Sequence, residues 1–173
     1  MACTQTISGI DTSCASQYGG IKAVYICNRS EVASFTVTQD KVSAITLTSG
    51  SWLKTFNFRK QTGSLTSTFT IDDTTGTKYC SSSLTLQFSK METTKRVSIQ
   101  ALIMGETCVI VEDNNGSKWL LGYDNPVTAT ESTAVTGTNF GDLNGFTLTL
   151  SDTSSEYPYE LNIADSDWAT LIT

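Results

Sequence analysis

The sequence predicts a mainly β fold with one helix, at about residues 90–104, and three observations carry that prediction. Ser and Thr are abundant, whereas Pro occurs twice and His not at all, and β-branched and hydroxylated residues suit half-exposed sheet surfaces. Short runs alternating apolar and polar residues recur between turn-forming clusters, which is the period-two signature of strands. One stretch of helical spacing interrupts them, at about residues 90–104. At 173 residues the chain has the length of one domain with a substantial core, so no second domain is expected.

Residues 1–20 are small and polar and end in Tyr18-Gly19-Gly20. With little apolar patterning to hold them on a core, they read as an N-terminal arm or a partner-docked segment before a domain over 21–173. The first strand is the apolar run Ile21–Cys27, broken by Asn28-Arg29-Ser30. Strands are expected next at Ser34–Thr38, Val42–Leu47 and Trp52–Phe58, the last with Phe56 and Phe58 on one face and Asn57 and Arg59 on the other. Leu65–Ile71 continues the series to a turn at Asp72-Asp73-Thr74-Thr75-Gly76, where Asp bonds local amides and Gly permits positive φ. A longer strand then runs to Phe88, with Leu84, Leu86 and Phe88 inward and Thr85 and Gln87 outward.

The helix start is read from chemistry as well as period, because Ser89-Lys90-Met91-Glu92 has the S-x-x-E spacing of a capping box. Val97, Ala101 and Met104, with Leu102 close by, define its packed face; Lys95, Arg96 and Gln100 face water, and Gly105 supplies the stop. A hairpin follows, Cys108–Val111 and Lys118–Tyr123 around Asp113-Asn114-Asn115-Gly116. Its arms are apolar on both faces, so it should be the centre of the core, with the preceding helix on one side and another sheet or chain on the other. Residues 124–145 read as a long irregular loop rich in Thr, Gly and Asn, suited to contact between subunits. The chain closes with strands at Gly145–Leu150 and Tyr157–Ile163 and a short tail at Trp168–Ile172. No internal repeat is apparent.

Composition also bounds function. A net charge of −6 without a Lys/Arg run opposes tight phosphate binding, which needs clustered positive charge. Cys3, Cys14, Cys27, Cys80 and Cys108 are odd in number and lack C-x-x-C spacing, so reduced thiols are expected in place of a zinc or redox site. Cys27 and Cys108 lie in apolar strands, where Cys acts as a small hydrophobe. The first residues lack the basic and apolar segments of a secretory signal, and no run spans a bilayer. A soluble protein of the cytoplasm is expected, unless it leaves within a particle.

Without His, the commonest general base is missing, and no Lys or carboxylate is paired with a Ser or Cys nucleophile. The acidic doublets Asp72-Asp73, Glu112-Asp113 and Asp165/Asp167 fall in expected turns or the tail and read as solvated residues. Asp113-Asn114-Asn115-Gly116 lacks the further ligands of a calcium loop, and neither Tyr18-Gly19-Gly20 nor Gly137–Gly145 has phosphate-loop spacing. Trp52, Phe56, Phe58, Trp119 and Tyr123 could form a sugar platform, but core or interface packing is the simpler use of such rings. No catalytic, cofactor-binding or metal-binding residue is assigned, and the expected role is not enzymatic.

The order of capped helix, then Gly105-Glu106-Thr107-Cys108-Val109-Ile110-Val111-Glu112-Asp113-Asn114-Asn115-Gly116, then Trp119-Leu120-Leu121-Gly122 resembles bacteriophage tail-tube proteins. Thr136–Ser151 is similar to the carboxy-terminal part of tail proteins from phages of Bacteroidetes, so the resemblance covers about residues 80–160. It implies a mainly β fold, a β-sandwich or barrel with one flanking helix, whose sheets join neighbouring subunits into a homo-oligomeric ring, hexameric or dodecameric. Such rings stack along the DNA path beside other tail, portal or connector proteins and are assembled in the host cytoplasm into the virion. It also implies a long hairpin reaching the next ring; the candidate, Trp52 to Phe69 with a Lys60-Gln61-Thr62-Gly63 tip, is short and polar, which points to a connector or collar ring of a short tail. Threonine-rich edge strands fit sheet extension across subunits, and net negative charge fits a lumen that repels phosphate. The second class weighed is a carbohydrate- or receptor-binding β-sandwich of a tail fibre or baseplate.

Overall fold

The computed structural model describes residues 9–12 and 14–172. The described part of the expected arm holds no helix or strand before Ile21. Its last residues are nonetheless bonded: Asn115 Nδ2 donates to Tyr18 O at 3.0 Å and Asn114 Nδ2 to Gly19 O at 2.7 Å.

The elements in chain order are β1 (Ile21–Asn28), β2 (Val32–Thr38), β3 (Lys41–Leu47), β4 (Lys54–Phe56), β5 (Gly63–Asp72), β6 (Thr77–Ser89), α1 (Thr93–Met104), β7 (Thr107–Asp113), β8 (Lys118–Leu121), β9 (Thr128–Val135), β10 (Gly145–Ser154), β11 (Tyr159–Leu161) and α2 (Asp165–Leu171). They form a seven-stranded sheet of order β2-β3-β11-β8-β7-β1-β4 and a four-stranded sheet of order β5-β6-β10-β9. The fold is mainly β with a flanking helix, α1, as expected, and α2 is a second, unexpected helix.

The sheets pack face to face through Val24, Ile26, Val109, Val111 and Leu121 of the first and Leu84, Leu86, Phe146, Leu148 and Leu150 of the second. Excluding that much apolar surface from water dominates stability. Tyr25, Cys27, Cys108, Ile110 and Leu120 point to the opposite face of the large sheet, in one cluster with Val42, Ile45 and Leu161 of neighbouring strands and Trp168 of α2. The β7–β8 hairpin is therefore buried on both faces, as its composition predicts. Its cover is different from the expected one: the second sheet lies on one side and α2 on the other, while α1 packs beside β9.

Five further expectations are corrected. The capping box does not form, because Ser89 ends β6 and Lys90 takes φ 69°. The helix starts at Thr93 after Glu92, without a side-chain cap, and Lys95 Nζ instead satisfies Ser89 O at 2.6 Å. Its buried face is Ile99 and Leu102, whereas Val97 and Met104 are exposed. Residues 124–145 are not one loop, since β9 lies within them and pairs with β10 from Gly145↔Val135 to Ser151↔Thr128. The tail is a helix, α2, whose Trp168 meets Tyr25 edge to face at 5.0 Å and carries Lys118 Nζ over its ring at 5.1 Å. Finally, Trp52 to Phe69 is not a hairpin: β4 pairs with β1 and β5 with β6, in different sheets.

Candidate functional site: the edges and outer face of the four-stranded sheet

The four strands of the smaller sheet are antiparallel throughout. With an even number of strands, the two edge strands run in opposite directions. Among the described residues β5 pairs only with β6 and β9 only with β10, so each leaves an outer row of N–H and C=O groups without a strand partner there. Lys, Pro and strong bulging are the usual protection of such edges. Neither strand contains Lys or Pro, and charge is limited to Asp72 at the end of β5 and Glu131 in β9. β9 carries one irregularity, where the register skips Thr130. All of its residues except Ala129 are exposed, on both faces. A β5 edge and a β9 edge of two copies in the same orientation would meet antiparallel and continue the sheet.

The side chains alternate across this sheet, as the pleat requires. Cys80, Ser82, Leu84, Leu86 and Phe88 face the core, and the opposite side is hydroxylated: Thr66 pairs with Ser83, Thr147 with Thr133, and Thr149 with Thr85, whose Oγ1 atoms lie 3.5 Å apart. In the body of the sheet the charged residue on this face is Glu131, opposite Thr149.

Past Cys80 the β5–β6 hairpin runs beyond the core. Ile71 is 62% and Tyr79 37% exposed, and the pairing continues to Asp72↔Thr77. Asp72 Oδ1 accepts from Thr74 N at 2.8 Å and Thr75 N at 3.3 Å. Hydrogen bonds from the Thr75 side chain and these amides hold its pKa below the ordinary value. The hairpin that reaches out of the fold is thus this one, with its tip at Asp73–Gly76. The loop between β9 and β10 is also ordered by one carboxylate. Asp142 Oδ2 accepts from Thr138 N at 2.8 Å and Asn139 N at 2.7 Å. Gly137 takes φ 72°, and a Cβ there would lie 2.5 Å from Asp142 Cβ. The loop presents Phe140 fully to solvent.

The acidic doublets do not come together. Asp165 and Asp167 are in the first turn of α2, and Asp113 closes the β7–β8 turn by accepting from Asn115 N at 2.8 Å and Ser117 N at 2.9 Å. Glu112 corrects the expectation of a solvated acid: it is 7% exposed and accepts from Lys22 Nζ at 2.5 Å and Tyr25 Oη at 2.9 Å. Burial pushes its pKa up, and these bonds with the Lys22 and Lys118 charges outweigh burial and hold it below the usual value. Tyr25 is pushed up to about 12, first by burial and then by its bond to Glu112. Asp152 on β10 escaped sequence reading because it occupies one rung of an alternating Thr/Ser strand. It is 4% exposed, accepts from Gly122 N at 3.1 Å through Oδ2 and leaves Oδ1 without a partner.

The five aromatics do not make a platform. Phe56 and Phe58 pack on the inter-sheet core, Tyr123 packs on the opposite face, and Trp52 is 46% exposed. A different aromatic groove of about 630 Å³ is present, where Phe69, Trp119, Tyr157 and Tyr159 meet Asp40 and Lys41. Among the described residues no three His, Cys, Asp or Glu side chains are placed to share a metal ion. No protein-family model matches the chain, and no curated protein or solved structure does either.

Proposed function

We propose that the chain is a non-enzymatic, ring-forming subunit of a bacteriophage tail tube or short-tail barrel. The observation that carries this reading is the pair of bare, oppositely directed edges on the four-stranded sheet. Copies related by rotation about an axis along the strands would pair β9 of one with β5 of the next, a heterologous contact that closes into a ring. With four strands per copy, a hexamer makes a barrel wider than the ~16–18-stranded barrels that already enclose water. The hydroxylated face then lines the channel, with Glu131 supplying a ring of negative charge, and DNA passes without adhesion. The β5–β6 tip and the Phe140 loop lie outside the packed body and are suited to meet the next ring or a portal or connector protein. Virion location and assembly in the host cytoplasm belong to the same reading.

Native mass spectrometry and negative-stain images of the purified chain test it. Hexamers or dodecamers with a central hole are expected, and a Thr66→Lys/Thr133→Lys pair, which sets like charges on the two edges, should leave monomers of unchanged circular dichroism. Rings that persist in that variant at low salt would reject edge pairing.

A second reading rests on the aromatic groove beside Trp119 and Tyr157, since rings flanked by polar side chains bind sugar faces. It makes the chain a carbohydrate-recognising module of a tail fibre or baseplate. Saturable glycan binding by the isolated monomer, lost in Tyr157→Ala, would favour it.

A further inference from the structure

We propose that Cys27 and Cys108 form a modification site, a cross-strand dithiol that a low-molecular-weight disulfide converts to a disulfide bond. The two residues face each other directly in the register of β1 and β7. Cα atoms of directly opposed antiparallel residues lie about 4.5 or 5.5 Å apart, and both spacings fall within the ~4.4–6.8 Å window of disulfides. Both side chains are on the same face of the sheet, packed in one cluster with Tyr25 and Ile110. The remaining described cysteines lack such a partner: Cys80 is opposite Phe69 and Ser154, and Cys14 is exposed outside the sheets.

Access comes from the position of the pair in the ladder. One rung, Asn28↔Thr107, separates it from the end of the β1–β7 pairing. A cleft of about 300 Å³ under α1 borders Asn28 and Thr107 of that rung. Release of that rung, together with the Arg29 N to Glu106 O bond at 2.9 Å and the Thr107–Val127 bridge beside it, opens the thiols to a small reagent without unfolding the core. The two sulfurs also divide the chemistry. Cys108 Sγ donates to Leu121 O at 3.6 Å, and the Cys108 side chain opposite Cys27 lowers the Cys27 pKa, so Cys27 is the first thiolate. The pKa of Cys108 is raised, first by Cys27 beside it and then by burial.

The Cys27 thiolate attacks one sulfur of the reagent, whose S–S bond breaks and releases one thiolate, which takes up a solvent proton. Cys108 then gives its proton to solvent and attacks the Cys27 sulfur, expelling the second thiolate. Two protein thiols are oxidised and one small disulfide is reduced to two thiols. The product staples adjacent strands inside the large sheet, and a reduced thiol pool reverses it.

The test uses the native full chain and oxidised glutathione at neutral pH, run until exposed Cys14 has reacted, then acid quench, alkylation under denaturing conditions and non-reducing peptide mapping. The expected product joins the Cys27 and Cys108 peptides with loss of two hydrogens and is reversed by reduced glutathione. In Cys108→Ser, Cys27 should accumulate as the glutathione mixed disulfide, which tests the order of attack. Recovery of both residues as alkylated thiols, or as unjoined glutathione adducts, from wild-type chain whose Cys14 is fully modified would overturn the proposal.

Discussion

Two buried carboxylates are held in opposite ways, and their substitution should be felt with opposite sign. Glu112 has a folded-state pKa below its unfolded value, so its contribution is complete above the unfolded pKa and is lost as pH falls through the folded one. Glu112→Ala should cost about 2 kcal/mol at neutral pH, mainly because the buried Tyr25 hydroxyl loses a charged acceptor. Glu112→Gln should flatten the acid limb of a stability–pH curve from urea melts; an unchanged limb would contradict the assignment. Asp152 has its pKa raised, first by burial, and Oδ1 has no partner. Below the unfolded pKa both states are protonated and nothing is lost, whereas stability falls as pH rises through the folded pKa. Asp152→Asn keeps an oxygen for Gly122 N and removes the charge, so it should gain about 1–3 kcal/mol at neutral pH and nothing in acid. A loss at neutral pH would show that the carboxylate is stabilised by something other than Gly122.

At the scale of elements, burial decides what sequence can reveal. Strands β1, β6, β7 and β10 were legible because one or both faces are buried, and Leu84, Leu86 and Phe88 point inward as their alternation requires. β9 was hidden for the converse reason: Thr128–Val135 is solvated on both faces, so no apolar period marks it, and only its β-branched residues carried a signal. The helix was found but rotated, because Val97, Ala101 and Met104 match helical spacing as well as Ile99 and Leu102 do. Spacing identifies a face without saying which face is covered. The bare edges of the candidate site were half legible, since threonine-rich edges were expected but which strands lie at an edge is a matter of topology. α2 is short, yet Trp168 covers Tyr25 on the outer face of the large sheet. Trp168→Ala should therefore cost about 3–5 kcal/mol in chemical denaturation, whereas a chain end that merely trailed in solvent would cost nothing measurable. Shortening the hairpin beyond Thr70 and Tyr79 removes exposed residues and should leave the melting temperature nearly unchanged while preventing stacking of rings in electron micrographs.

For the whole molecule, the proposed ring makes the charge of the channel a property of one residue per copy. Glu131→Lys should leave rings intact, because the residue faces outward from the sheet beside Thr149, and should slow DNA ejection from reconstituted particles. Equal ejection kinetics would argue against Glu131 in a lumen. The amino-acid order by itself determined the β class, most strands, the turns at Asp72–Gly76 and Asp113–Gly116 and the doubly buried hairpin, because these follow from local propensity and from burial periods of two. Only the tertiary structure decided that Cys27 faces Cys108, that β4 and β5 belong to different sheets, that β11 inserts between β3 and β8, and that β5 and β9 end as edges. Those facts are pairings between residues far apart in the chain, and their register is selected by the cooperative burial of both sheets rather than by any segment's own preference.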